Sequence, residues 1–81
     1  MSDKQLLFFH SPRCPGCKTI EALLNELHLS YVSIDTTLDP RAASSYGVSS
    51  TPTVIALGEE IHTFIGASQT VVDRIREFAK C

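Results

Sequence analysis

The chain has 81 residues and a formal net charge of −2, the size of one small domain that folds alone around a modest core. Basic and acidic residues are intermixed along it, so no basic patch marks a nucleic-acid surface and no polybasic tract marks a membrane surface. The longest early apolar run, Leu6-Leu7-Phe8-Phe9, is far too short for a membrane span or a signal-peptide core, which makes the cytoplasm the expected compartment.

That first run predicts a strand buried on both faces. Ser11-Pro12 breaks it. Pro15 then suits the first turn of a helix, where a missing N–H costs nothing. Ile20, Leu23, Leu24 and Leu27 recur at helical spacing and carry the helix to about His28. Tyr31 to Asp35 reads as a second strand, with Val32 and Ile34 on one face. Asp39-Pro40 is a cap followed by proline at the first helical position. A short helix through Ala42, Ala43 and Tyr46 follows, and Gly47 can end it in a left-handed conformation. Thr53 to Leu57 is a third strand. Gly58-Glu59 turns the chain into a fourth, about Glu60 to Ile65, and so short a link implies an antiparallel pair. Ser68 can cap a last helix whose inner face is Val71, Val72, Ile75, Phe78 and Ala79. The order β-α-β-α-β-β-α predicts an α/β domain over residues 1–81. It is a four-stranded mixed sheet flanked by three helices, its first two strands joined by a parallel crossover.

Three cysteines are present, Cys14, Cys17 and Cys81. An odd, low count is not a secreted disulfide framework, and a close pair in a reducing compartment points to metal binding or redox chemistry. A closed structural zinc site takes about four ligands, but only Cys14 and Cys17 are paired here. His10, His28, His62 and Cys81 are dispersed. No metal and no resident cofactor is expected, and Cys81 reads as a free terminal thiol.

Disulfide exchange needs a thiolate. Cys14 precedes Pro15 at the predicted helix start, where the dipole and unpaired N–H groups favour negative charge. Arg13 adds a positive neighbour. Cys17 lies one turn further in, on the face of Ile20, Leu24 and Leu27, and should be shielded. The asymmetry predicts Cys14 as the attacking thiolate and Cys17 as the resolving thiol, with a Cys14–Cys17 disulfide as the oxidised product. His10, four residues before Cys14, reads as a strand-end residue that could also exchange protons with the pair.

Phe8-Phe9-His10-Ser11-Pro12-Arg13-Cys14-Pro15-Gly16-Cys17-Lys18 resembles the active-site strand, loop and helix of the thioredoxin/glutaredoxin superfamily. Ile34-Asp35 and Tyr46-Gly47-Val48-Ser49-Ser50-Thr51-Pro52-Thr53-Val54 resemble the thioredoxin segment up to and through its cis-proline loop. Gly66-Ala67 resembles the family glycine after the last strand. The resemblance implies a compact thioredoxin-like fold and a cis Thr51-Pro52 bond against the cysteine pair. It implies a substrate groove walled by Arg13, Thr51, Pro52 and Gly66.

It also implies a protein-disulfide reductase that acts as a monomer on disulfide-containing clients, ribonucleotide reductase being one by analogy. Its electrons would come from a thioredoxin-reductase-like flavoprotein or, as the alternative, from glutathione in glutaredoxin fashion. A redox-inert or zinc-binding module is the third reading. The chain departs from both parents at several points. Its dipeptide is Pro15-Gly16, where thioredoxins carry Gly-Pro and glutaredoxins usually Pro-Tyr. Phe8 stands where thioredoxins have a buried aspartate that helps deprotonate the resolving cysteine. Arg13 replaces their tryptophan. Gly66-Ala67-Ser68-Gln69 lacks the double glycine and following acid with which glutaredoxins hold glutathione.

Overall fold

The structure, a computed structural model, describes residues 5–80; Cys81 lies outside the described residues. Seven elements follow in the expected order: β1 (Gln5–His10), α1 (Pro15–Glu26), β2 (Tyr31–Asp35), α2 (Pro40–Ser45), β3 (Thr53–Leu57), β4 (His62–Ile65) and α3 (Gln69–Ala79). They form one four-stranded sheet ordered β2-β1-β3-β4. β1 and β2 are parallel, from Leu6 opposite Tyr31 to His10 opposite Asp35. β3 runs antiparallel to both β1 and β4.

The unbroken apolar strands explain the layering, because successive side chains of a strand point to opposite faces. Leu6 and Phe8 of β1, with Val54 and Ala56 of β3, pack against Ile20, Leu23 and Leu24 of α1 and Val71 and Ile75 of α3. Leu7, Phe9 and Ile55 face the other way and pack on Ala43 of α2. Helices therefore cover both faces. β1 lies between β2 and β3, so its C-terminal end delivers the following loop to the middle of the sheet edge.

The helix caps are those the sequence signals. Asp39 Oδ1 accepts from the Ala42 N–H at 3.1 Å, and Ser68 Oγ accepts from the Val71 N–H at 3.3 Å. Gly47 takes φ +69°, and the Val48 N–H donates back to the Ala43 carbonyl at 2.8 Å, closing α2 with a left-handed residue. Two boundaries differ from the sequence reading. α1 stops at Glu26 because His28, not a glycine, adopts φ +56° to turn the chain into β2. β4 begins at His62, so the hairpin link is longer than the Gly58-Glu59 pair suggests. Val32 and Ile34 share one face of β2 as expected, and Val32 is exposed because β2 is an edge strand.

Asp35 ends β2 in a side-chain turn: its Oδ1 accepts from the Thr37 hydroxyl at 2.6 Å and the Thr37 N–H at 2.8 Å. The hydroxyl bond and then the backbone bond hold its carboxyl below the ordinary value of 3.8. A carboxyl whose folded pKa is depressed stabilises above its unfolded pKa, and that contribution fades as pH falls through the folded value. The stability gap between wild type and Asp35→Ala, followed by urea unfolding, should be widest above about pH 4 and narrow below it. A gap that does not change with pH would contradict this reading.

Ile20 and Leu24 are fully buried at the α1–sheet contact, while Leu38 is 82% exposed. Truncating either buried residue to alanine should cost about 2–5 kcal/mol in urea titrations, a large part of a small domain's stability. Leu38→Ala should stay within about 0.5 kcal/mol of wild type.

Candidate active site

Three segments far apart in sequence meet at one end of the molecule. The first is the start of α1. Cys14 is its N-cap residue, with extended φ and ψ of −131° and 96°, and Pro15 opens the helix. The Cys17 N–H donates to Cys14 Sγ at 3.2 Å and to the Cys14 carbonyl at 3.1 Å. A donor aimed at sulfur at a helix N-terminus favours the thiolate over the thiol. The two cysteines are joined as a disulfide, with Cα atoms 5.2 Å apart. Cys17 is buried and belongs to the core cluster, and Cys14 is half-exposed at its edge. The unequal environments expected from helical spacing are present.

The second segment is the loop before β3. The Thr51-Pro52 peptide bond is cis, and Pro52 is buried. Thr53 Oγ1 donates to the Ser50 carbonyl at 2.8 Å, bracing the loop from below. The third segment is Gly66-Ala67, after β4. Gly66 has φ +91°, a conformation that favours glycine, and its N–H donates to the Pro52 carbonyl at 2.9 Å. The sequence-predicted Thr51, Pro52 and Gly66 therefore form one connected structure.

Gly16 joins these segments. A Cβ built on Gly16 would lie 3.0 Å from Ala67 Cβ and 3.2 Å from Pro52 Cδ. These contacts are tighter than ordinary packing, so a side chain there would require Ala67 or Pro52 to give by a few tenths of an ångström. The glycine of Pro15-Gly16 thus has a packing cause. Glycine inside a helix costs about 1 kcal/mol relative to alanine, so its presence at the second helical position was the available sign of close approach. A second tie was not visible in sequence: Ser11 Oγ and Thr51 Oγ1 share a hydrogen bond of 2.8 Å. Nothing local to residue 11 announces a partner forty residues away.

Arg13 is exposed and lines a shallow pocket of about 320 Å³ with Ser11, Pro12 and Thr37. On the other side of the loop, a cavity of about 260 Å³ opens between β1 and α1, bordered by both cysteines and by His10, Lys18 and Glu21. His10 Nε2 and Ser33 Oγ are 2.7 Å apart, and the His10 carbonyl accepts from the Thr36 N–H at 2.9 Å. The histidine therefore anchors the strand end and also faces the cavity. Among the described residues, no three His, Cys, Asp or Glu side chains are grouped to hold a metal ion. No helix among them is long and apolar enough to cross a membrane.

The thioredoxin family model matches residues 1–80. The thioredoxin-like protein YosR, derived from the SPbeta prophage of Bacillus subtilis, is 27% identical over 74 residues, covering 88% of this chain and 92% of that protein. The chloroplastic M-type thioredoxin of Chlamydomonas reinhardtii is 30% identical over 83 residues, covering 90% of this chain but 59% of its own length. Among solved structures, reduced Schistosoma mansoni thioredoxin superposes with a TM-score of 0.79 at 29% identity, covering 95% of this chain and 76% of that one. The match does not favour the glutaredoxin alternative. The chain belongs to the thioredoxin family, and its Cys14–Cys17 pair is a thiol–disulfide redox centre of that family's kind.

Proposed function

We propose that this protein is a small dithiol donor that reduces disulfides in client proteins and is recharged by a thioredoxin-reductase-like flavoprotein. The observation that carries the reading is the unequal pair. Cys14 is half-exposed at the helix N-cap with an N–H on its sulfur, and it is bonded to a buried Cys17 beside a cis-proline loop.

In the reduced protein, the Cys14 thiolate attacks one sulfur of the client disulfide. That bond breaks, and the other client sulfur leaves as a thiolate that takes a proton from water. The Cys17 thiolate then attacks Cys14 Sγ. The mixed disulfide breaks, the second client thiolate leaves, and Cys14–Cys17 closes. Two electrons have passed from the dithiol to the client, and the reductase returns two electrons to reopen the pair. Helix α1 holds the two sulfurs together, so the second step runs at high effective concentration.

In this reading Thr51 and Pro52 present backbone to an extended client segment next to Cys14. Arg13 meets the client from the other lip, and Gly66 acts through the loop it shapes. The protein works as a monomer in the cytoplasm, and ribonucleotide reductase is one client by family analogy. The thioredoxin relatives support the flavoprotein as electron source. So does the sequence Gly66-Ala67-Ser68-Gln69, which offers no glutathione grip.

Insulin reduction driven by NADPH and thioredoxin reductase should proceed in wild type and fall at least a hundredfold in Cys14→Ser. Turnover driven only by glutathione and glutathione reductase, with none from thioredoxin reductase, would overturn the electron source. Full activity in Cys14→Ser would overturn the nucleophile. Removing the Ser11–Thr51 tie with Ser11→Ala should raise KM for insulin severalfold. Reaction of Cys14 with a small disulfide should change less than twofold, because only a protein client uses the groove.

A further inference from the structure

The proposed cycle leaves one step unassigned, the loss of the Cys17 proton, and an acceptor for that proton has a role only if the dithiol reading holds. Cys17 is 6% exposed and sits in the apolar cluster with Phe8, Ile20 and Leu24. Burial of this kind favours the neutral thiol over the thiolate. Phe8, beneath it, offers no base. A thiol that must ionise in such surroundings needs a proton acceptor within reach, directly or through one water.

The cavity of about 260 Å³ bordered by Cys17 is where an acceptor can be reached. It has room for several water molecules, each needing about 30 Å³. Three titratable side chains besides the cysteines border it: His10 on β1, and Lys18 and Glu21 on α1. Lysine is an ammonium at neutral pH with no lone pair to offer. A carboxylate is the weaker base by roughly two pKa units in ordinary surroundings. Imidazole is the side chain whose basicity suits proton transfer near neutral pH.

His10 is also held for the task. It follows Leu6 and Phe8 on the face of β1 that packs against α1, and its ring lies 5.3 Å from that of Phe8. The Nε2–Ser33 Oγ contact of 2.7 Å fixes one side of the ring. Asp35 stands opposite His10 in the parallel β1–β2 register, and its carboxylate is held in its own turn by Thr37.

We propose that His10 accepts the Cys17 proton through water in this cavity as Cys17 attacks the Cys14 mixed disulfide. The S–H bond of Cys17 breaks, its electron pair stays on sulfur and forms the bond to Cys14 Sγ, and the proton goes to the imidazole. The departing client thiolate or water later takes it back, so the histidine ends each cycle unchanged.

The test uses the full chain in a Cys81→Ser background and 5,5′-dithiobis(2-nitrobenzoate), followed by stopped flow across pH 5.5–9. The first thionitrobenzoate reports attack by Cys14, and the second reports attack by Cys17. Wild type should show a second phase that rises with pH through an inflection near neutrality. His10→Gln, which keeps a hydrogen-bonding group for Ser33, should lose that inflection. Its second phase at pH 7 should slow by roughly tenfold or more, its first phase should be unchanged, and the two proteins should converge near pH 9. Ser33→Ala should slow the same phase severalfold.

A His10→Gln profile that superimposes on wild type overturns the proposal, as does a loss in Glu21→Gln that His10→Gln does not share. Persistence of the second phase in Cys17→Ser would instead remove the dithiol mechanism itself, so the two failures are distinguishable.

Discussion

The structure depends on the contact between the start of α1 and the two loops beneath it. Gly16 packs closely there: a Cβ on it would stand only 3.0 Å from Ala67 Cβ and 3.2 Å from Pro52 Cδ. This contact sets where Cys14 stands relative to the Thr51-Pro52 backbone. The Gly66 N–H bond to the Pro52 carbonyl and the Ser11–Thr51 bond hold the same neighbours from two other directions. Interiors are close-packed and resist small displacements, so a redox pair fixed in this way keeps one geometry toward its client.

The sheet supplies the rigid base. β1 contributes Leu6 and Phe8 to one face and Leu7 and Phe9 to the other, and all four are buried. A strand pinned on both sides ends at a defined point, and the Ser11–Arg13 loop leaves from that point. α1 is held against the first face by Ile20, Leu23 and Leu24. The same helix that packs the core therefore presents Cys14 to solvent and keeps Cys17 out of it. The burial that shields Cys17 also makes its ionisation costly, and the proposed route for its proton runs through the cavity bordered by His10.

Much of this was legible in the sequence because the controlling signals are local. Leu6-Leu7-Phe8-Phe9 and Val54-Ile55-Ala56-Leu57 announce doubly buried strands. Asp39-Pro40, Gly47 and Ser68 mark helix ends by the backbone bonds they make. Cys14 and Cys17 differ because one turn of helix separates an N-cap from a core position. The features that escaped are set by tertiary contact. Ser11 meets Thr51 only after β1 and β3 pair, and Gly16 touches Ala67 only after β4 is added. His28 takes a left-handed turn that a glycine would have signalled more plainly, and Val32 is left exposed by strand order rather than by its own hydrophobicity. The Pro15-Gly16 dipeptide matches neither parent motif by sequence, and its glycine suits the close approach to Ala67 and Pro52.

In the proposed cycle Cys14 is the sulfur that clients meet and Cys17 is the sulfur that releases them. Trapping the intermediate measures this directly. The Cys17→Ser protein is mixed with a disulfide-containing client, the adduct is isolated without reductant, and the joined cysteines are located by peptide mass spectrometry. The expected product is a stable adduct linked through Cys14 and absent from wild type, where Cys17 resolves it. An adduct linked through Cys81, or equal accumulation in wild type, would contradict the cycle.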